Sequence, residues 1–275
     1  MPLRSAVRAA LLLAAGGAVG AQPPAAPRAL VLVRATLIDG TGAAPLRDAT
    51  IVVDGGRIAR IGVGRQPVPA GADTIDVAGR FVLPGLIDAH THIASTAAMR
   101  RALESGVTTV RSANTPHYED VGLRALVRRG VLAGPEMLAA GVFVTPYLGE
   151  TALADPRLAE YAGAVLTPAQ LRGVVRINLD RGVDVIKTRA TERAGLPEQD
   201  PRKQVYDEAQ LTAIVEEAAT RGVPVLVHAH GDEGAYAAVR AGARSIEHGT
   251  FLSDSTLALM KARGTFLVPT YTTIV

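Results

Sequence analysis

FVLPGLIDAHTH, residues Phe81 to His92, gives the strongest indication of both fold and chemistry in the chain. Its apolar run is typical of a strand buried on both faces, as in parallel sheets covered by helices. Because side chains alternate along a strand, His90 and His92 are expected to point in the same direction. Two neighbouring neutral imidazoles suit zinc and related metals, although many such histidine pairs lie at a surface and bind nothing.

Beyond this stretch, β-branched runs alternate with helical segments through the rest of the sequence. Strands are predicted near residues 81, 107, 137, 183, 223, 245 and 266. Thr167 with Gln170, and Asp207 with Gln210, have the spacing of capping boxes at helix starts. The alternation predicts an α/β fold with parallel pairing, and the seven strands fit a (β/α)8 barrel of TIM type that lacks one strand.

Residues 29–80 have a different pattern, in which short strands are separated by Gly and Asp. The triplet Asp54-Gly55-Gly56 between two such strands favours a hairpin. We therefore predict a small antiparallel β unit, forming a β-sandwich portion, ahead of a barrel that spans residues 81–275.

The first residues have the features of a secretory signal peptide. Arg4 and Arg8 precede a short apolar segment, residues 9–19, which is followed by small residues up to Ala21. Cleavage after Ala21 is predicted, with an uncleaved anchor as the alternative, and the segment is too short and glycine-rich for a permanent membrane span. Residues 22–28 would then be a linker in a secreted or periplasmic protein.

Composition excludes several classes of function. The chain has 275 residues, 48% of them hydrophobic, so it can bury a substantial core. Its 29 basic and 26 acidic residues form no basic stripe, which argues against nucleic-acid binding. It has no cysteine, and therefore no disulfide, zinc ribbon or thiol nucleophile. A homo-oligomer is compatible with the sequence, which does not specify the oligomeric state.

Histidines concentrate at predicted strand ends. In a parallel barrel the carboxyl ends of the strands converge on one mouth. Five of the six histidines fall there, namely His90, His92, His228, His230 and His248. The sixth, His117, lies in a predicted loop and is interpreted as a solvated bystander. This distribution predicts a metal site at the mouth.

Lys187 lies on a predicted buried strand, within DVIKT. Because an unpaired buried ammonium is costly, either its pKa falls or it finds a carboxylate. One interpretation is a salt bridge with Glu247 or another carboxylate. The other is that the neutral amine has added carbon dioxide, giving a carbamate whose negative charge bridges two cations. Asp184 is not an expected partner, because strand alternation turns it away from Lys187.

The order HxH, Lys, His, His on successive strands resembles the metal-dependent amidohydrolase superfamily. The motifs PGLIDAHTH, GVDVIK, VHAHG and SIEHG are similar to its imidazolonepropionase- and prolidase-related branch, from about Ala29 to the last residue. The leading β unit resembles the part-domain that flanks the barrel in that family. The resemblance implies hydrolysis of a C–N bond in an amide, a cyclic amide or a short peptide such as a dipeptide by two divalent ions, usually zinc.

The resemblance also implies roles for individual residues. The ligands of the first ion would be His90 and His92, those of the second His228 and His248, and carboxylated Lys187 would bridge the two ions. A hydroxide shared by both ions would be the nucleophile. His230 would support a ligand or touch the substrate, with core packing as the alternative. Arg189 would meet a substrate carboxylate or form a structural ion pair, and Tyr271 is a weaker candidate for the same mouth.

The sequence departs from the family pattern in three places. No Asp of an eighth strand precedes Val275, the strands that would complete the small β unit are missing, and Arg111-Ser112 stands where the family often has Arg-Asp. We therefore expect an incomplete chain, derived from an active enzyme, that is neither stable nor active by itself. Two alternatives stay open: a one-metal deaminase of the same fold, which Lys187 disfavours, and a secreted remnant without catalysis.

Overall fold

The computed structural model describes residues 28–270 and divides into two compact units between Pro84 and Gly85. The predicted signal peptide of residues 1–21, all but the last residue of the predicted linker, and Tyr271 lie outside the described residues. The sequence placed the start of the larger unit at residue 81, and the division falls a few residues later.

The first unit contains a mixed five-stranded sheet with the order β3-β2-β1-β4, in which β5 also pairs with β1. Its strands are β1 (Leu30–Leu37), β2 (Leu46–Asp54), β3 (Arg57–Val63), β4 (Asp73–Asp76) and β5 (Phe81–Val82). The β2–β3 hairpin turns through Gly55 and Gly56, both with positive φ, as the sequence predicted. However, β4 and β5 run parallel to β1, which corrects the prediction of a purely antiparallel unit.

The stretch from Phe81 to His92 is two strands, not one. Its first residues form β5 in the first unit, and β6 (Leu86–Thr91) opens the second unit after Pro84-Gly85. Proline has no N–H to donate to a ladder, so pairing is interrupted there. Leu86 and Ile87 are 59% and 72% exposed, contrary to the predicted buried strand, because within residues 28–270 β6 pairs with β7 alone.

Strands and helices alternate through the second unit, and every pairing between its described strands is parallel. After β6, the strands are β7 (Val107–Ser112), β8 (Glu136–Leu138), β9 (Ile186–Arg189), β10 (Val225–Ala229), β11 (Ser245–His248) and β12 (Phe266–Val268). The α-helices are α1 (Thr96–Glu104), α2 (Glu119–Arg128), α3 (Pro168–Asp180), α4 (Glu208–Ala219), α5 (Asp232–Ala241) and α6 (Asp254–Arg263), and two short 3-10 helices, Gly149–Leu153 and Pro156–Tyr161, precede α3. The seven strands lie close to the predicted positions.

The strands form two ladders, β6-β7-β8 and β9-β10-β11-β12, which are linked by backbone hydrogen bonds. Asp184 N–H and Val185 N–H donate to Ala139 O (2.7 and 3.2 Å), and Val144 N–H donates to Lys187 O (2.9 Å). These bonds continue the parallel arrangement from one ladder to the next. The strands of the second unit therefore follow one another in chain order, as in a (β/α) barrel.

Helix starts follow the local signals in the sequence. Thr167 and Gln170 form a reciprocal capping box before α3, with Pro168 at the first helical position. Asp207 and Gln210 cap α4 in the same way. Both caps confirm the sequence prediction, and they fix where the chain enters the helices that cover β9 and β10.

The core of the second unit surrounds β9, β10 and β11. All three strands are buried along nearly their whole length, as predicted for parallel strands covered on both faces. Ile186, Val225, Val227 and Ile246 belong to the main apolar cluster with residues of α3, α4 and α5. Among the described residues, no helix has the length and apolar character needed to cross a membrane.

Candidate metal centre

Six of the predicted site residues of the larger unit converge on one cavity of about 570 Å³. Those that line it are His90, His92, Lys187, His228, His230 and His248, each in or directly after β6, β9, β10 or β11. Because parallel strands end at the same edge of the structure, residues far apart in the sequence meet there.

The five imidazole rings form a continuous group. The centroid of the His248 ring lies 4.5 Å from that of His228 and 4.7 Å from that of His230. It also lies 5.1 Å from the His90 ring, whose centroid is in turn 5.4 Å from that of His92. Five rings this close together can coexist only if few of them carry a proton charge.

Burial lowers the pKa of all five histidines, because removal from water disfavours the charged imidazolium. The effect is largest for His228, whose pKa falls to about 2, with the positive charges of His248 and Lys187 adding to burial. The pKa of His248 falls to about 3 for similar reasons. The rings are therefore neutral near pH 7, which is the form that binds a divalent metal.

Three of the rings lie close enough to share one ion. The ligand atoms of His228, His230 and His248 all lie within 4.8 Å of one another. The sequence assigned ligand roles to His228 and His248 and kept His230 outside the pair, but the geometry admits His230 as well. Its Nδ1 lies 2.7 Å from the Thr250 hydroxyl.

Hydrogen bonds to acceptor groups fix the tautomers of three rings. Nδ1 of His90 donates to the Glu247 carboxylate (2.5 Å), and Nδ1 of His92 donates to the Asn114 carbonyl (3.2 Å). In both rings the lone pair is therefore on Nε2. His228 has the opposite tautomer, because its Nε2 donates to the Glu192 carbonyl (3.1 Å) and the lone pair is therefore on Nδ1. Bonds of this kind orient histidines for metal binding.

Glu247 is a site residue whose role sequence reasoning missed. Its side chain is fully buried and accepts hydrogen bonds from His90, Ser245 and Arg111, the last at 2.8 and 3.0 Å. Burial alone would raise the pKa of Glu247, but the His90 bond and the charges of Lys187 and Arg111 lower it to about 2. The available signal was its place, one residue before His248.

Lys187 has no partner among the described residues. Its side chain is 2% exposed, and its Nζ forms no hydrogen bond. Burial lowers the pKa of Lys187 to about 7. The salt bridge with Glu247 is not formed. Asp184 pairs with Arg124 and not with Lys187, from which strand alternation was expected to turn it away. The amine is therefore partly neutral near pH 7, the form that adds carbon dioxide.

Two further predicted residues lie apart from the cavity lining. Arg189 is half-buried beside it, with a buried Nε that has no hydrogen-bond partner, and it forms none of the ion pairs found within residues 28–270. The structural ion pair considered for Arg189 is therefore absent from that part of the chain. His117 lies outside the cavity near Glu119 (3.6 Å), in keeping with a solvated side chain.

Other lining residues carried no sequence signal. Asn114 has a backbone φ of 124°, an uncommon conformation for a residue other than glycine, and its carbonyl holds His92. Phe143 and Val268 supply apolar surface, and Arg193 supplies a guanidinium. The cavity therefore combines a nitrogen-rich centre with apolar and cationic walls.

Known proteins are similar to this chain both in sequence and in the arrangement of strands. Residues 81–275 match the amidohydrolase family. Ochratoxinase from Aspergillus niger is 27% identical over 89% of this chain and 59% of its own length. Imidazolonepropionase from Saccharopolyspora erythraea is 29% identical over 76% of this chain and 59% of its own length. The chain thus spans about three fifths of the length of these curated relatives.

Among solved structures, that of a Xaa-Pro dipeptidase with methionine bound in its active site is similar throughout most of this chain. The two align with a TM-score of 0.76 and 30% identity, over 88% of this chain and 66% of the other. This similarity confirms the predicted α/β fold class, which is the class of barrel-type amidohydrolases.

Proposed function

Because this chain belongs to the amidohydrolase family, as its motifs predicted, we propose that it carries the metal centre of a hydrolase that cleaves C–N bonds. The substrates would be amides, cyclic amides or dipeptides. One observation carries the proposal: five imidazoles, of which those of His228, His230 and His248 are buried, line a single cavity together with a buried lysine that has no hydrogen-bond partner within residues 28–270.

The donor set fits divalent transition metals. Neutral imidazoles and an anionic oxygen suit zinc, and the lone pairs of His90 and His92 are on their Nε2 atoms. We propose that the ligands are His90 and His92 for one ion, His228 and His248 for the other, and Lys187, as a carbamate, for both. Two such ions, when bound, would polarise the scissile carbonyl and lower the pKa of a shared water to supply hydroxide.

The carbamate would form directly on Lys187. The lone pair of the neutral amine attacks carbon dioxide, a C–N bond forms, one C=O electron pair moves onto oxygen, and the nitrogen releases a proton to solvent. Buried Lys187 has a pKa of about 7, so a substantial neutral fraction is available near that pH. The product is an anion, which neutral imidazoles cannot provide and two adjacent cations require.

The residues around the centre would hold it in place. Glu247 and Asn114 orient the rings of His90 and His92, and Arg111 anchors Glu247 from β7. The cavity volume of about 570 Å³ is within the usual range for small-molecule sites. Secretion or a periplasmic location is part of the proposal, and the mass of the mature protein, expected to begin at Gln22, tests it.

The test uses the protein expressed from its complete reading frame, stripped with chelator and then reloaded with zinc. We expect hydrolysis of one or more N-acyl amino acids, cyclic amides or dipeptides, detected by mass spectrometry, to vanish on stripping and return with zinc. His228→Ala should abolish it, and His117→Ala, a histidine outside the cavity, should not. No C–N cleavage by the zinc-loaded protein would overturn the proposal. Ammonia release from cyclic amidines with one zinc per chain would favour the deaminase instead.

A further inference from the structure

Arg193 lines the cavity, and its side chain has no partner within the part of the chain that the structure describes. It lies four residues after β9, on the loop that leads to α4, and contributes to the cavity wall together with Ala194. Its backbone N–H donates to Gln199 Oε1 (2.8 Å), so its main chain is held in place. Its guanidinium forms no hydrogen bond or ion pair with any of residues 28–270.

The nearest acidic neighbour in the sequence is already engaged. The Glu192 carboxylate accepts from Lys203 Nζ (2.8 Å) and from the backbone N–H of Asp200 (2.8 Å). Both contacts draw Glu192 into the loop itself. The positive charge of Arg193 is therefore not neutralised by the residue next to it.

The loop that carries Arg193 is itself fixed. The Arg202 guanidinium lies 3.7 Å from the centroid of the Phe251 ring, and the backbone of Arg202 packs closely against Gly231. A Cβ on Gly231 would lie 2.5 Å from the Arg202 carbonyl oxygen, so only glycine allows this approach. The loops after β9, β10 and β11 thus support one another and hold Arg193 at the cavity wall.

Within residues 28–270, few acidic side chains line the cavity near Arg193, so an anion could bind there. Among the described residues that line the cavity, Asp88 is the one with an acidic side chain. Asp88 lies in β6, two residues before His90, and accepts a hydrogen bond from the His90 N–H (3.1 Å). Arg193 lies four residues beyond the end of β9, and it forms no ion pair with Asp88. Burial is the main cause of the low pKa values of Lys187 and His92, and the Arg193 charge adds to both.

Given the hydrolase function proposed above, on which this step rests, we propose that Arg193 binds a free carboxylate of the substrate near the scissile C–N bond. A guanidinium matches a carboxylate with two parallel hydrogen bonds. Phe143 and Val268 line the same cavity and would contact an apolar part of the substrate. The preferred substrates would therefore be N-acyl amino acids or dipeptides with a free carboxyl group.

The test compares N-acetyl amino acids with the same compounds as primary amides, for the zinc-loaded wild type and for R193Q, R193K and R129Q. The wild type should prefer the acids. R193Q should lower kcat/KM for the acids about ten- to hundredfold and change that for the amides less than about twofold. For the acids, R193K should have a kcat/KM between those of wild type and R193Q, because an ammonium keeps the charge but cannot form two parallel hydrogen bonds with a carboxylate. R129Q removes the same charge from an exposed site at the end of α2 and should behave as wild type.

An equal loss on acids and amides in R193Q, or a wild type with no preference for acids, would overturn the role of Arg193. If no acetyl bond is cleaved, and no cyclic amide or dipeptide is cleaved either, the hydrolase proposal fails, and calorimetry still decides the inference. Binding of N-acetyl amino acids to the zinc-loaded protein that weakens about tenfold in R193Q supports it. Equal binding by both proteins, or none by the wild type, contradicts it.

Discussion

At the scale of single residues, the cavity depends on buried charges that neutralise one another. Glu247 is fully buried and joins Arg111 of β7 to His90 of β6. Because an ionised carboxylate only accepts, its bond to His90 places that ring's lone pair on Nε2. Loss of the carboxylate would leave Arg111 without its charge partner and free the His90 ring to turn.

Substitution of Glu247 should therefore weaken metal binding. Glu247→Gln keeps the shape of the side chain, but removes the charge that holds Arg111 and fixes the His90 tautomer. We expect zinc affinity, measured by competition with a chelator, to fall about 10- to 100-fold. Glu119→Gln is the matched control, since Glu119 lies beside the exposed His117. Unchanged zinc affinity in Glu247→Gln would show that this network does not orient a ligand.

Lys187 should make the stability of the metal-free protein depend on pH. Burial lowers its pKa from 10.5 to about 7, so between these values the unfolded chain binds a proton that the folded chain does not. The free energy of unfolding then rises with pH in this window, by up to about 1.4 kcal/mol per pH unit. Urea unfolding of wild type and Lys187→Met in CO2-free buffer measures the effect. From pH 7 upward, the free energy of unfolding of the wild type should rise relative to that of Lys187→Met. A difference in this free energy that stays constant with pH would contradict the prediction.

At the scale of strands and helices, local signals predicted most of the second unit. Capping residues such as Thr167 and buried β-branched runs are read from neighbouring positions, so the alternation was visible in the sequence. The break at Pro84-Gly85 was missed because apolar residues continue on both sides of it. The contact between Arg111 and Glu247 was also out of reach, because it joins β7 to β11, which belong to two different ladders. No sequence signal specifies the register between two strands that are not neighbours in a sheet.

Substitution of Gly85 tests how closely the start of β6 packs against β7. A Cβ at this position would overlap the Thr108 side chain of β7, although the backbone φ is ordinary. Gly85→Ala should therefore push β6 away from β7 and lower the free energy of unfolding by about 1–3 kcal/mol. The control is Gly163→Ala, where an added Cβ meets nothing within 4 Å. Chemical denaturation compares the two variants, and equal stability would mean that the two strands lie further apart.

At the scale of the whole molecule, the parallel strands bring distant histidines together, but they also leave two apolar edges. Within residues 28–270, β6 and β12 each pair with a single strand. Their exposed apolar side chains are those of Leu86, Ile87, Phe266 and Leu267, at 59%, 72%, 57% and 41% exposure. Unpaired apolar strand edges are templates for association with another chain.

We therefore expect the 275-residue chain, expressed by itself, to self-associate. Light scattering after size exclusion should detect large species, and Ile87→Lys combined with Leu267→Lys should reduce them, because a charge on an edge opposes pairing. Val131→Lys is the control, since Val131 is equally exposed (66%) but lies outside the strands. A chain that remains monomeric at high concentration would contradict the expected edge pairing.

Zinc content per chain tests the central arrangement, four imidazoles and one modified lysine around two ions, most directly. For the protein expressed from its complete reading frame, mass spectrometry of metals should give two zinc ions per chain. Lys187→Ala should hold one at most, and His117→Ala should keep both. A Lys187→Ala protein with the same zinc content as wild type would contradict the bridging role of Lys187.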